Sequence, residues 1–199
     1  MSLDTYTGLV AEIGDWLDRD DLTTRIPTFI RLVEAKVNRR LSDPDMEEVV
    51  ETTAAGDYTD LPAGFGEMVS ISTGDLPLGP MSAAEYAGID STISGRPRFY
   101  TIVDGAIGFY PRNSTAAIRM VFRKNVPALT SSNETNWLLT RAPDVYLYGA
   151  LTEASAFLVE DDRAGSWKGL FDQAMAEMMV DANRRRWGAG PIAPRIRRT

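Results

Sequence analysis

The chain has 199 residues, 44% hydrophobic and 25% charged, with a formal net charge of −7, values that suit a folded chain able to bury a sizeable core without staples. It contains neither cysteine nor histidine, which excludes disulfides, thiolate metal sites and cysteine nucleophiles and removes the commonest general base near neutral pH. No apolar run approaches the roughly 20 residues that span a bilayer, and Met1-Ser2-Leu3-Asp4 lacks the basic and apolar segments of a signal peptide, so no membrane partner and assembly in a cytoplasm are expected.

The first helix is expected to start at Asp4 or Thr5, because Tyr6, Leu9, Val10, Ile13, Trp16 and Leu17 recur at three- and four-residue spacing. The polar turn at residues 18–21 ends it. A second helix follows Thr24, read as its N-cap, with Pro27 in the first turn, where a missing N–H does no harm. Ile26, Phe29, Ile30, Val33, Val37 and Leu41 form its stripe, and Asp43-Pro44 stops it.

The period then changes. From Met68 to Thr73, Val69 and Ile71 alternate with Ser70 and Ser72. Residues 99–103 and 106–110 flank Asp104-Gly105, a pair favoured in type I′ turns because both central residues need positive φ. Ser82 to Ile89 reads as a short helix. Residues 117–123 put Ile118, Met120 and Phe122 on one face and arginines on the other. Residues 45–125 are therefore expected to form a small, mainly antiparallel β region.

Helical period returns with Thr140 as a cap and Pro143 behind it, then the stripe Leu147, Leu151, Ala154 and Leu158. Asp161-Asp162 is read as a break and a cap for the next helix rather than a chelate, since adjacent acids at a helix start point apart. Trp167, Leu170, Phe171, Ala174, Met175, Met178 and Met179 make the last face. The methionines are more simply core than an adaptable partner surface. Gly188, Gly190, Pro191 and Pro194 end the helix by about Trp187. The expected fold is α+β: a helical bundle from 1–44 and 126–187, an inserted β region at 45–125, and an extended C-terminal tail at 188–199.

No catalytic constellation emerges. Gly64-Phe65-Gly66 lacks the lysine or fingerprint of a nucleotide loop, and no serine sits in a nucleophile elbow. No metal or cofactor is expected. The main anomaly is charge distribution. Arg184, Arg185, Arg186, Arg195, Arg197 and Arg198 fall within residues 183–199 with no acid, so the remaining body holds 15 of the 21 basic residues and all 28 acids. That tail reads equally as a solvated end, a DNA contact or a segment that docks in an acidic protein groove. Trp187 could stack on bases or anchor a protein contact. The acidic body argues against DNA wrapping, which needs a contiguous basic surface.

Several stretches resemble the head-to-tail adaptor proteins of short-tailed bacteriophages. They are Thr5-Tyr6-Thr7-Gly8-Leu9, Asp15-Trp16-Leu17, the run from Glu34 to Leu41, Tyr58 to Pro62, Gly95 to Tyr100, Asn136-Trp137-Leu138-Leu139, Ala142 to Leu151, and Arg186-Trp187-Gly188. Together they cover nearly the whole chain in the family's order. The resemblance implies a structural virion protein without catalysis, a ring typically of about twelve subunits that joins the portal to the tail nozzle. Genomic DNA would pass through its lumen without sequence-specific binding. It further implies a helical part facing the portal, a β part facing the nozzle, and a C-terminal segment docked on the portal; from the arginine excess and Trp187, the residues expected to make that contact are Arg184, Arg185, Arg186, Trp187, Arg195, Arg197 and Arg198. The expected location is the head–tail junction of the virion. The alternative is a nucleic-acid-binding accessory protein that uses the arginine-rich C-terminus.

Overall fold

The computed structural model describes residues 3–54, 57–90, 92–112, 115–158 and 163–188. The chain divides into two compact units, Met1–Asp45 with Val126–Thr199, and Met46–Asn125.

The first unit is helical. Helix α1 (Tyr6–Leu17) is capped by the Thr5 hydroxyl, which accepts from the Gly8 amide at 3.1 Å, and ends where Asp18 turns left-handed at φ 53°. It buries Leu9, Ile13 and Leu17. Helix α2 (Ile26–Arg40) has Pro27 in its first turn as expected, but Thr24 is not its cap. Arg25 holds that position with helical φ and ψ and no side-chain cap bond. A 3-10 turn at Asp20–Leu22 precedes it and the Arg25 amide bonds Leu22 O at 2.7 Å, whereas a side-chain cap needs an extended residue before the first turn.

A similar correction applies to Thr140. It lies inside the short helix α4 (Trp137–Arg141), and its hydroxyl donates to Asn136 O at 3.0 Å. Helical structure therefore begins earlier, at α4, whose cap is Asn136, extended at φ −146°, with Oδ1 accepting from Leu139 N at 2.8 Å. Helix α5 (Pro143–Leu158) is buried on several sides, by Val145, Tyr146, Leu147, Ala150, Leu151 and Ala154 among others, because α1, α2, α4 and α6 (Ala164–Trp187) all pack on it. Leu158, expected in its stripe, is only half-buried. An ideal Cβ on Gly149 would lie 2.7 Å from Val33 Cγ2 and 3.0 Å from Phe171 Cε2, so this glycine permits close helix approach. On α6 the buried residues are Phe171, Ala174, Met175, Met178 and Ala182, which places two of the three methionines in the core. Asp161 and Asp162 lie outside the described residues.

The second unit carries two four-stranded sheets. One has β1 (Glu47–Thr53), β8 (Ala117–Lys124), β3 (Phe65–Thr73) and β4 (Leu76–Pro77) in that order, all antiparallel. The other orders β2 (Thr59–Asp60), β7 (Ala106–Tyr110), β6 (Phe99–Val103) and β5 (Gly79–Pro80), with only the two-residue β5–β6 pairing parallel. Both contribute to one core of Ala54, Ile71, Leu78, Ile107, Phe109, Ile118 and Met120. The hairpin turns at Asp104 (φ 50°) and Gly105 (φ 75°), the two positive angles that turn requires. Helix α3 (Ala83–Gly88) opens with a full capping box between Ser82 and Glu85. Strand β3 departs from strict alternation. A register shift between Met68 and Ser70 leaves Val69 exposed while Met68 and Ile71 turn inward.

Candidate docking site

The arginine-rich end of α6 does not simply project into solvent. Arg185 bonds Asp181 one turn back through Nε at 3.2 Å, Asp45 through Nη1 at 3.0 Å, and Asp43 through Nη2. Arg141, from the last turn of α4, reaches the same three carboxylates: Asp45 at 2.6 Å, Asp181 at 3.0 Å and Asp43 at 3.3 Å. Its guanidinium also lies 5.4 Å from the centroid of Trp137.

Asp43 is the centre of this cluster, its side chain fully shielded from solvent. Burial pushes its carboxyl up. The Asp45 amide, at 2.9 Å, and the guanidiniums of Arg185 and Arg141 outweigh burial and hold it below the usual aspartate range. Charged partners on every side make this buried ion cluster tolerable. It clamps the last turn of α6 to the segment after α2.

The residues expected to meet a partner therefore separate. Arg185 is committed to holding the helix end. Arg186 leans on Ser42, with Nη2 3.4 Å from its carbonyl and 3.3 Å from its hydroxyl. Arg184 is exposed, and Trp187 is 63% exposed, the most open of the large apolar side chains among the described residues. Arg195, Arg197 and Arg198 lie outside the described residues. Sequence reading missed Asp43, Asp45 and Arg141. The local signal available was the four-residue spacing of Asp181 and Arg185, which favours an ion pair on one helix face.

A second polar assembly fixes the bundle. The Glu34 carboxylate on α2, buried, accepts from Leu129 N at 2.7 Å and from the Tyr146 hydroxyl at 3.3 Å. Asn136 Nδ2 donates to Tyr146 Oη at 2.8 Å and to Pro127 O at 2.7 Å. Asn38 accepts from Val126 N at 2.8 Å, and Glu134 receives both the amide and the hydroxyl of Thr7 at 2.9 Å. Thus Thr7, Glu34, Asn38, Asn136 and Tyr146, all within the stretches that resemble phage adaptors, pin the 126–136 connection onto the helices. Burial raises the Glu34 carboxyl above its ordinary range despite the Leu129 amide and Tyr146, and burial likewise raises the Tyr146 phenol.

Nothing in these assemblies resembles a reaction centre. The three aspartates converge on guanidiniums, and no group of acids among the described residues could hold a metal ion. Among those residues no helix is long and apolar enough to cross a membrane. Comparison with curated proteins finds no match. The family of SU10 adaptor proteins matches residues 4–195. With nearly the whole chain aligned, it belongs to the SU10 adaptor protein family, and is a structural, non-catalytic, ring-forming head-to-tail adaptor of a bacteriophage virion.

Proposed function

We propose that the chain joins the portal to the tail nozzle in a ring of about twelve copies, with the end of α6 as the portal-docking element. Arg184, Arg186 and Trp187 meet the portal at the end of the helix, and the segment from Gly188 carries Arg195, Arg197 and Arg198 along an acidic groove. Arg185 acts indirectly, by fixing the direction in which the helix ends. The β unit takes the nozzle side, and DNA passes through the lumen without sequence-specific contacts.

The observation that carries this reading is the clamp of Arg185 on Asp43 beside an exposed Trp187. A helix end held rigid, presenting a large aromatic and an arginine, has the composition of an interface anchor. Arginine forks suit carboxylates on the partner, and charge attraction speeds docking.

The test compares the full chain with one lacking residues 188–199 on DNA-free portals at low and high salt. The truncated chain is expected to keep its melting temperature, bind more weakly and lose much of its salt sensitivity. Equal binding by both chains would rule out docking by the tail. Normal portal binding with a loss only of DNA retention would instead favour the nucleic-acid role.

A further inference from the structure

The helical unit carries two exposed faces of opposite charge that the docking proposal leaves unused. Residues 4–21, covering α1 and the turn after it, hold Asp4, Glu12, Asp15, Asp18, Asp20 and Asp21 against Arg19 alone. Residues 25–40, covering α2, hold Arg25, Arg31, Lys36, Arg39 and Arg40 against Glu34 alone, and Glu34 is buried. The acidic body is therefore internally polarised.

Part of this charge is neutralised within the unit. Lys36 pairs with Glu153 and Arg40 with Asp172. Among the described residues, exposed Arg39 pairs with no acid, exposed Arg31 makes no salt bridge and acts only at a distance on the buried Glu34, and the exposed side chains of Asp15 and Asp18 pair with no base. Each face also has apolar anchors. Beside the basic face stand Leu32, 44% exposed, and Phe157, 51% exposed, with Arg25 5.7 Å above the Phe157 ring. Beside the acidic face stands Trp16, half-open, its indole donating to Glu12 at 3.0 Å and its ring packed on Tyr148 and Trp167.

Helices α1 and α2 meet α5 on opposite sides of it through Trp16 and Phe29. Tyr148 and Phe157 are both on that helix, separated by about two and a half turns, so their side chains leave it in opposite directions. Tyr148 borders Trp16 of α1 and Phe157 borders Phe29 of α2. A closed cyclic ring of more than two copies needs this arrangement: a heterologous contact between two different, complementary surfaces on opposite sides of one subunit.

We propose that these faces are the copy-to-copy contact of the ring, the basic face of α2 with Leu32 and Phe157 receiving the acidic face of α1 with Trp16 from the next copy. The occupant is a second copy of this chain because charge and apolar content match across the two faces. The contact rests on the ring-forming role. Its modest apolar content suits association that is completed on a template rather than a strong free oligomer.

The test uses full-length chains binding DNA-free portals, with copies per portal counted by native mass spectrometry across a titration. One variant reverses the basic face (Arg31→Glu with Arg39→Glu), a second reverses the acidic face (Glu12→Lys with Asp15→Lys), and a third carries all four changes. Thermal melts verify that each is folded. Wild type is expected to fill the portal cooperatively. Each single-face variant should lose cooperativity and half-saturate at a concentration about tenfold higher or more. The fourfold variant should recover cooperative filling, because both faces are reversed together. Wild-type filling by either single-face variant, or no recovery in the fourfold variant, overturns the assignment of these faces and leaves the adaptor role standing. Failure of wild type itself to load the portal would overturn the portal docking and this contact with it.

Discussion

The guanidinium of Arg185 is bonded to the carboxylate of Asp43, 142 residues earlier in the chain, and this pair anchors the last turn of the final helix to the segment after α2. Without it, Arg184, Arg186 and Trp187 would sit on a fraying helix terminus. With it, they occupy defined positions beside the segment that follows α2.

Replacing Asp43 with alanine leaves Arg141 and Arg185 facing only Asp45 and Asp181 and opens a hole in a shielded site. The expected loss is about 3 kcal/mol, read from denaturant unfolding, since removing one member of a buried ion cluster strands its partners. Arg185→Ala should cost less, because Arg141 still reaches Asp43.

Stability should vary with pH through two carboxyls of opposite sign. The Asp43 carboxyl is lowered in the fold, so its contribution is complete above its unfolded value of about 4 and disappears as pH falls through the lower folded value. The Glu34 carboxyl is raised, so its contribution is complete below about 4.3 and is lost as pH rises through the higher folded value. Glu34→Gln should remove the second dependence and keep an acceptor for Leu129 N, whereas Asp43→Asn should remove the first. Melting temperatures of the three proteins between pH 3 and 8 separate the two effects. Identical pH profiles would contradict the assignment.

Gly149→Ala should destabilise the protein despite the better helix propensity of alanine. The added methyl meets both Val33 methyls, at 2.7 and 2.9 Å, and the Phe171 ring. Overpacking costs about 1–3 kcal/mol, and with contacts under 3.0 Å to two methyls of a buried valine the cost lies toward the upper end, above the roughly 1 kcal/mol that alanine gains over glycine in a helix. Adding Val33→Ala should recover part of the loss in the same thermal melt.

Trp187→Ala should leave the melting temperature unchanged, because the ring is mostly in solvent. Portal affinity should fall by at least about tenfold if the ring is an interface anchor. Surface plasmon resonance on immobilised DNA-free portals measures both the affinity and the dissociation rate, and unchanged values would remove Trp187 from the contact.

Local chemistry was readable in advance wherever one residue's conformation decides the outcome. Asp104-Gly105 announced its turn because few residue pairs accept two positive φ angles. The helical stripe of α2 was visible in full because a helix packed on one side leaves a 3.6-residue period, whereas Trp16 on α1 and Leu170 on α6, expected in their stripes, are exposed at the stripe edges. Helix α5, packed on several sides, blurs that period, so its stripe was only partly right. The caps failed at Thr24 and Thr140 for another reason. Capping depends on an extended backbone just before the helix, which Asn136 has and Arg25 does not, and residue type alone does not reveal it. Val69 escaped because one bulge resets the alternation beyond it.

The arginine-rich end of α6 was legible as composition but not as geometry. Six arginines near the C-terminus stood out, yet the commitment of Arg185 depends on Asp43 and Asp45, brought close only by folding. The split between the acidic α1 and the basic α2 was equally present in the sequence, but net charge over the whole body averaged it away.

Electron microscopy of the intact virion at side-chain resolution tests the central claim most directly. The chain should appear as a ring between portal and tail, with Trp187 and the segment after it against the portal and α1 of each copy facing α2 of the next. Density for the chain elsewhere in the particle would contradict the adaptor assignment. A ring at the junction with the end of α6 turned away from the portal would contradict the docking proposed for Arg184, Arg186 and Trp187.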